Sequence, residues 1–351
     1  MTLAVTNDTI ARQVAQLAGP SLSKMALVQL GLTTTSSRLL TSVFNQLVPA
    51  NKLLIYRDNL EFFRGFDAIV VAEKTSLLLK TRYGLTEAKL IHTRHGAGDR
   101  AIGFGKESTG FDLSLVAGPK IARRLQAEAG VSPERIAVTG YAKFDLCAER
   151  RIVLPFEDSS KPTVLYNPHP SPRLSSWFKM GDRVLDDLTA SGRYNVIFAP
   201  HVMLFARKYV ITIAPPAARR IRGLRPEVAA RPNLLVDQGS VASLDMSYTN
   251  AADLYIGDVS SQVYEYLLHP RPCLHLDAHD IDWRGDPNYA HWHAGPVAKR
   301  GTSVVEAVDK AFATHTDYLA TQRAMLADTF SITEEPAAQR SARAILELLD
   351  G

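Results

Sequence analysis

The sequence predicts an α/β protein whose parallel sheets are covered by helices on both faces. Two observations indicate this class. Short apolar strands alternate with helical segments along the chain, which is typical of parallel sheets buried on both sides. This alternation of strands and helices occurs in two stretches of the chain. Between them, residues 153–162 contain two prolines and a polar run, which we interpret as an interdomain linker. We therefore expect two Rossmann-like units in tandem with a cleft between them.

The first unit is expected to span residues 1–155. Its predicted strands are 26–30, 52–56, 67–72, 89–93, 113–117 and 136–139. Its predicted helices are 9–17, 36–47, 74–83 and 119–129, the last ending at Gly130 as a C-cap.

The second unit is expected to span 156–330, with a C-terminal helical segment at 331–351. Its predicted strands are 163–166, 195–198, 233–236, 253–256 and a strand ending near 276. Its predicted helices are 177–189, 216–230, 240–250 and 262–268, followed by terminal helices at 304–326 and 337–349.

Composition bounds the function classes. With 351 residues, 46% apolar and 22% charged, the chain resembles an ordinary globular protein large enough for two cores. A net charge of +4 is a smaller positive excess than nucleic-acid-binding proteins typically carry, so we expect no nucleic-acid partner. Two distant cysteines fit a reducing compartment. We see neither a signal peptide nor a membrane span, so a cytoplasmic location is expected.

The most informative stretch is 254–276, LYIGDVSSQVYEYLLHPRPCLHL. It predicts a strand, a tight turn through Gly257 and Asp258, and a helix that starts after Ser260 and Ser261. Backbone N–H groups at a helix N-terminus, together with two hydroxyls, form a plausible phosphate site at the carboxyl end of a strand. The alternative is that Ser260 only caps the helix.

Two further polar turns follow predicted strands and are expected to face the same cleft. One is 92–96, with His95 before Gly96, and the other is 199–201, which ends in His201. A histidine there can accept a proton near neutral pH, and Gly96 allows a substrate to approach the backbone closely. Either histidine taken alone also fits a half-buried residue bonded to the backbone.

Several motifs together resemble the CDP-glycerol glycerophosphotransferase family, which builds teichoic acids and related capsular polymers. The resemblance covers about 89–325 and depends on the order and spacing of its motifs. They are HTRHGAGDRAIG (92–103), VTGYAKFD (138–145), VLYNPHPSP (164–172), IFAPH (197–201), SVASLDMSYTNAADLYIGDVSSQVYEYLLHPRP (240–272) and HAGPV (293–297). The resemblance implies a GT-B fold, in which two Rossmann-like domains face each other across a cleft.

The resemblance also implies site roles. His95 matches the proposed general base, and His201 matches a second histidine beside the donor phosphates. Ser260 and Ser261 match a phosphate-binding pair, with Asp258 and Gly257 before it. Departures from the family pattern line the cleft: Arg94 replaces Trp, Ala97 and Gly98 replace Thr-Pro, Lys143 replaces Arg, Val202 replaces Pro, and Val259 and Gly257 replace Tyr and Thr. Further substrate-binding candidates are Arg94, Gly96, Arg207, Gly239 and Ser240.

The activity implied is transfer of glycerol phosphate, or a related polyol phosphate, from a CDP-activated donor to a hydroxyl of a glycan or lipid-linked acceptor. The nucleotide is expected on the second unit and the acceptor on the first. Two alternatives remain open: a GT-B nucleotide-sugar glycosyltransferase, and a catalytically degenerate protein that binds a nucleotide or polymer.

No cofactor or metal is expected. An acidic-histidine loop at 277–282 either binds a metal ion or is simply solvated, and no Asp-x-Asp pair lies in the cleft turns. A basic segment contains Arg219, Arg220, Arg222 and Arg225. It either contacts an anionic membrane peripherally or a polyanionic acceptor, or forms a solvated helix face.

Overall fold

The computed structural model describes residues 1–44, 50–206, 209–212 and 217–351. The strands in these residues are β1 (Thr2–Val5), β2 (Ala26–Gln29), β3 (Ala68–Val71), β4 (Lys89–His92), β5 (Leu113–Val116), β6 (Ile136–Val138), β7 (Thr163–Asn167), β8 (Asn195–Phe198), β9 (Tyr209–Thr212), β10 (Ala217–Arg220), β11 (Leu234–Val236), β12 (Leu254–Gly257), β13 (Cys273–Asp277) and β14 (Val297–Lys299).

The α-helices alternate with these strands, as the sequence predicts. They are α1 (Asp8–Ala18), α2 (Thr35–Phe44), α3 (Ala50–Asp58), α4 (Leu60–Arg64), α5 (Leu78–Thr81), α6 (Pro119–Arg124), α7 (Ala142–Cys147), α8 (Asp182–Ala190), α9 (Pro226–Ala229), α10 (Ser247–Ala251), α11 (Gln262–Tyr266), α12 (Val304–Ala313), α13 (His315–Thr329) and α14 (Ala337–Asp350).

Two parallel sheets dominate the molecule. A four-stranded sheet has the order β3-β4-β5-β6, and a six-stranded sheet has the order β11-β8-β7-β12-β13-β14. The strands β1 and β2 form a separate parallel pair, and β9 and β10 an antiparallel pair. The chain is therefore α/β with two parallel sheets, as predicted.

Burial on both faces explains the apolar strands of the six-stranded sheet. In β7, Val164 and Tyr166 pack with one apolar cluster while Leu165, between them, packs with the other. All three are completely buried. Because side chains alternate across a strand, a strand covered by helices on both sides has no position for a solvated polar residue.

The C-terminal helix returns to the four-stranded sheet. In α14, Ala344, Ile345 and Leu348 pack against Leu113 and its neighbours in β4 and β5. The backbone N–H of Ser331 donates to the carbonyl of Ala117 (2.8 Å). The last segment of the chain thus completes the core of the first sheet.

Two predicted elements are wrong. The segment KLLIY at 52–56 lies in α3 and is not a strand, because a short apolar run fits a buried helix equally well. The predicted helix at 216–230 is instead β10 and the short helix α9. Arg219 and Arg220 consequently lie on a β-hairpin strand, and Arg225 pairs with Asp186 (2.8 Å).

Three strands were not predicted, and one predicted helix is divided. The strands that were not predicted are β1, β9 and β14. The helix predicted at 304–326 is broken at Thr314 into α12 and α13. Within the described ranges, no helix is long and apolar enough to cross a bilayer.

Candidate functional site

The loops that follow four neighbouring strands of the six-stranded sheet meet at one edge. His169 follows β7, His201 follows β8, Ser240 follows β11, and Ser260 follows β12. The carboxyl ends of parallel strands share one edge of a sheet, so these residues surround a common space. The structure thus places the predicted His201, Gly239–Ser240 and Ser260–Ser261 segments together.

The Ser260–Ser261 turn is shaped by Asp258. That carboxylate is buried and accepts hydrogen bonds from the backbone N–H groups of His169 (2.9 Å), Ser176 (2.7 Å) and Val259 (2.7 Å), and from the Ser176 hydroxyl (2.9 Å). Burial raises the pKa of Asp258, although the hydrogen bonds that its carboxylate accepts act in the opposite direction and lower it. Since its oxygens are engaged by the protein, Asp258 fixes the backbone of the turn.

Ser260 is a buried residue whose hydroxyl accepts from the backbone N–H of Gln262 (3.3 Å). The N-cap of α11 is Ser261, whose side chain makes no capping hydrogen bond, so the Ser260 contact is a local bond to the first helical residue and not the N-cap offered as the alternative. Ser261 is less buried than Ser260 and faces the opposite sheet. The helix that follows, α11, has only five residues, so its dipole is small.

The turn carrying His95 reaches across and touches the Ser turn. A Cβ added at Gly96 would lie 2.8 Å from the Ser261 hydroxyl oxygen, and one at Gly98 would lie 2.9 Å from Ser261 Cβ. No real Cβ fits at those distances, so glycine is required for this close approach. The loop after β4 and the loop after β12 are therefore in contact across the cleft.

The ring of His95 is oriented for proton transfer. Its side chain is 75% exposed, Nδ1 lies 3.2 Å from the Ala72 carbonyl oxygen, and Glu73 Oε1 lies 3.9 Å away. A carbonyl only accepts, so Nδ1 carries the proton and Nε2 is left with a free lone pair.

His201 and His169 form a second histidine pair, with ring centroids 6.1 Å apart. Nδ1 of His201 accepts from the backbone N–H of Met203 (3.2 Å), so the neutral ring carries its proton on Nε2. Burial, and then the charge of His95, lowers the pKa of His201. Burial, and then the charge of Arg100, lowers the pKa of His169 to about 3. Both rings are neutral at pH 7.

His169 and Arg100 are site residues that the sequence analysis did not single out. Arg100 Nη1 lies 3.0 Å from His169 Nε2. His169 sits in the PHP segment after β7, one of the motifs behind the resemblance, so its place at a strand end was the available signal. Arg100 comes from the other sheet, and nothing in its local sequence indicates that contact.

Two predicted substrate-binding positions have well-defined surroundings. The Arg94 guanidinium donates to the Gly103 carbonyl (2.7 Å) and lies 4.7 Å from the Phe104 ring centroid. Burial lowers the pKa of Arg94 to about 10. The backbone N–H groups of Gly239 (2.9 Å) and Ser240 (2.8 Å) donate to one oxygen of Asp237. Arg207 lies outside the described residues.

A buried charged cluster joins the two sheets behind the Ser turn. Asp99, from the His95 loop, accepts from Lys120 Nζ (2.7 Å), the Tyr264 hydroxyl (2.6 Å) and His291, whose Nδ1 lies 3.0 Å away. Against the effect of burial, the His291 hydrogen bond and the Lys120 charge hold the pKa of Asp99 well below its usual range.

The same cluster extends to the Ser turn. His291 Nε2 lies 2.9 Å from the Asp258 carbonyl oxygen, and the indole N–H of Trp292 donates to that oxygen (2.6 Å). The Asp99 carboxylate and the Asp258 backbone are thus connected through a single imidazole.

A second polar contact holds α11 to the first sheet. The buried Glu265 carboxylate accepts from the Tyr141 hydroxyl (2.8 Å) and from Lys143 Nζ (2.7 Å). We call these contacts, together with that of Tyr264 to Asp99, the α11 clamp. The clamp ties the helix after the Ser turn to residues on both sides of β5, and it was not predictable from local sequence.

A cavity of about 1020 Å³ opens beside His95 on the four-stranded sheet. Its lining includes the turn at 93–96, Lys143 of the α11 clamp, and apolar side chains of β1 and β3. The first sheet therefore has ample space next to His95, in a cavity lined by the first unit and the C-terminal helix.

The acidic-histidine loop has protein partners. Asp277 accepts from the backbone N–H groups of His279 and Ile281 (3.1 Å each), and Asp280 pairs with Arg300 (2.7 Å). Within the described residues, no group of three or more histidine, cysteine or acidic residues is arranged to hold a metal ion.

No protein-family model and no curated protein matches the chain. Solved structures do. A variant of the wall teichoic acid polymerase TagF is 16% identical with a TM-score of 0.56, covering 81% of this chain and 73% of its own. A putative UDP-N-acetylglucosamine 2-epimerase from Listeria monocytogenes is 14% identical with a TM-score of 0.57, covering 99% and 96%. MnaA from S. aureus with UDP is 14% identical with a TM-score of 0.58, over the same shares. At these identities the similarity shows the fold: the chain is an α/β protein with the GT-B fold.

Proposed function

We propose that this protein transfers glycerol phosphate, or a related polyol phosphate, from a CDP-activated donor to a hydroxyl of a glycan or lipid-linked acceptor. The observation that supports it best is the contact between the His95 turn and the Ser261 hydroxyl. This contact supports the proposal because His95, the candidate base, precedes Gly96 directly, and Ser261 belongs to the turn proposed to bind phosphate. The likeness to TagF, one structure of which was soaked with CDPG, agrees with a nucleotide donor.

In this proposal, the donor diphosphate lies between Ser260, Ser261 and His201, with the nucleoside toward Gly239 and Ser240. The hydroxyls and the Nε2–H of His201 donate to phosphate oxygens. Donors placed around the diphosphate in this way stabilise the negative charge on its oxygens.

The acceptor hydroxyl then approaches from the His95 side. Its oxygen attacks the phosphorus that bears the glycerol, the bond from that phosphorus to the bridging oxygen breaks, and CMP leaves. The hydroxyl proton moves to Nε2 of His95. A positioned base contributes a factor of about 10²–10⁴ to such a step.

The location of the enzyme is part of the same proposal. It would act in the cytoplasm and would contact the inner face of the membrane through Arg219, Arg220 and Arg222 when the acceptor is lipid-linked. Arg225 is the weakest member of that set, because Asp186 and Glu227 already neutralise it.

The released nucleotide tests the reaction. The protein is incubated with CDP-glycerol, CDP-ribitol and UDP- and GDP-sugars, and the products are identified by chromatography. Release of CMP supports the proposal. Release of UDP or GDP establishes the glycosyltransferase alternative, and tight binding without turnover of any donor establishes the binding-protein alternative.

The placement of the donor has its own test. A crystal structure with CDP should show the diphosphate at Ser260 and Ser261. Nucleotide bound at 94–99, with the Ser turn empty, would reverse the donor and acceptor sides.

A further inference from the structure

A small pocket lies beside β14, the outer strand of the six-stranded sheet, apart from the cleft loops. Its volume is about 240 Å³. Trp283, Trp292 and Tyr318 give it aromatic walls, and Arg284, His293 and Lys310 bring cationic or titratable nitrogens. None of its lining residues is acidic.

The polar groups around this pocket have no protein partner to neutralise them. Over the described ranges, the side chains of Arg284, Lys310 and Tyr318 form no hydrogen bond or ion pair. Arg284 is held only by its position over the Trp283 ring, with Cζ 5.0 Å from the centroid. This contrasts with other exposed cations of the same domain, such as Arg193 and Arg300, which pair with carboxylates. A recess lined by donors without a carboxylate partner favours an anion.

The size and the aromatic walls narrow the class of ligand. The volume falls below the range of about 300–1,000 Å³ that is typical of sites for drug-sized molecules, so a nucleotide donor is too large. A planar guanidinium and an ammonium suit phosphate oxygens, whereas indole rings suit the C–H faces of a polyol or sugar. The pocket therefore matches one phosphorylated polyol or sugar unit.

We propose that this pocket binds one phosphodiester-linked unit of a soluble polyol-phosphate or sugar-phosphate chain, away from the point of transfer. The identity of that chain rests on the proposed function, since an enzyme that adds such units acts on an anionic chain. Trp292 relates the two places: its indole lines the pocket and donates to the Asp258 carbonyl before the Ser turn. The pocket thus gives the growing polymer a second binding site, on the domain that is expected to bind the donor.

Equilibrium binding tests the pocket without donor or turnover. The probes are a synthetic trimer of glycerol phosphate, the uncharged glycerol trimer, and vesicles of phosphatidylglycerol in phosphatidylcholine. Tryptophan fluorescence and calorimetry report binding to the full chain. We expect the phosphate trimer to bind and the uncharged trimer not to bind. Binding should weaken as salt rises, because screening reduces the attraction between exposed charges.

The variant pair assigns that binding to the pocket. Arg284→Ala/Lys310→Ala should weaken binding of the phosphate trimer roughly tenfold, as expected for the loss of two exposed charge contacts. The matched control Lys299→Ala/Arg323→Ala removes the same two charges from exposed positions on β14 and α13 outside the pocket, and should change binding less than twofold.

Three results would overturn the proposal. The pocket variant could bind the phosphate trimer as the wild type does, or the uncharged trimer could bind equally well. Vesicles alone could bind, through the same two cations, which would assign the phosphate to a lipid headgroup and not to a soluble chain. Because no step needs CDP-glycerol, each result is independent of whether CMP is released in the transfer assay.

Discussion

At the scale of single residues, His95 is the group whose surroundings fit a chemical role. It is exposed to the cleft, its Nδ1–H is held by the Ala72 carbonyl, and a carboxylate lies 3.9 Å away. His92, three residues before it, stacks on Phe111 with centroids 4.4 Å apart and is buried. Two histidines of one segment thus have opposite environments, and only one can meet a substrate.

Replacing His95 should abolish most of the turnover without changing donor affinity. We expect His95→Ala to lower kcat at least a hundredfold, because the base is lost while the phosphate contacts remain. Steady-state kinetics with CDP-glycerol and calorimetric CDP binding measure the two effects. The control His269→Ala removes an exposed histidine outside the cleft loops. Near-normal turnover of His95→Ala would exclude His95 as the base.

The serine pair makes the complementary prediction. Ser260→Ala/Ser261→Ala should weaken CDP binding, since each hydrogen bond to a charged group contributes about 1.5–3 kcal/mol. The fold should survive, because the lost Ser260 contact to Gln262 is a single local hydrogen bond, worth about 1 kcal/mol. Calorimetry gives the affinity and urea unfolding the stability. Unchanged CDP affinity would place the diphosphate elsewhere.

At the scale of elements, the strand ends were predictable and the contacts between distant elements were not. The strands after which His95, His201 and Ser260 lie are short apolar runs, and their period and spacing suffice to place all three turns at sheet edges. By contrast, Asp99 meets Tyr264 across 165 positions of the chain, and no local pattern marks that pair. The strand predicted at 52–56 was wrong for a similar reason, because only tertiary packing distinguishes a short buried helix from a strand.

The α11 clamp gives a prediction at this scale. Tyr264→Phe removes the hydroxyl that bonds Asp99, and should loosen the contact between the Ser turn and the His95 loop. Hydrogen exchange at 96–99 should become faster by about tenfold or more, since a hydrogen bond to a carboxylate contributes about 1.5–3 kcal/mol.

The matched control lies two residues away on the same helix. The hydroxyl of Tyr266 donates to the carbonyls of Asp253 (2.9 Å) and Pro272 (3.0 Å), both within the six-stranded half. Tyr266→Phe should therefore leave exchange at 96–99 unchanged. Equal effects of the two variants would mean that α11 simply loses stability and does not act as a clamp.

At the scale of the whole molecule, buried neutral histidines set the response to acid. Burial lowers the pKa of His92 to about 4 and that of His169 to about 3, and it lowers the pKa of His275 well below its usual value. Neither ring nitrogen of His275 has a hydrogen-bond partner within the described residues. These rings stay uncharged in the folded protein.

Stability should consequently fall as the solution is acidified. Unfolded histidines take up protons near pH 6.5, so below that pH the unfolded chain binds more protons than the folded one. The free energy of unfolding then decreases between about pH 6.5 and pH 4, by on the order of 2 kcal/mol per buried histidine from pH 7.5 to pH 5. Urea unfolding at the two pH values measures the change. His275→Phe should reduce it, and an unchanged pH dependence in that variant would contradict the assignment.

The close contact between Gly96 and Ser261 affects how water is handled. At this contact the two loops leave no room for a methyl group, so a substrate that passes between them must part them, and parting them strains the hydrogen bonds of the α11 clamp. Each catalytic cycle would then include an opening and a closing of the two halves. For the proposed transfer, the closed state would keep bulk solvent from the activated phosphorus, and an alcohol held at His95 would then compete with few water molecules. The rate of donor hydrolysis would then be low compared with the rate of transfer. Loosening the clamp would raise the rate of hydrolysis before it lowered the rate of transfer.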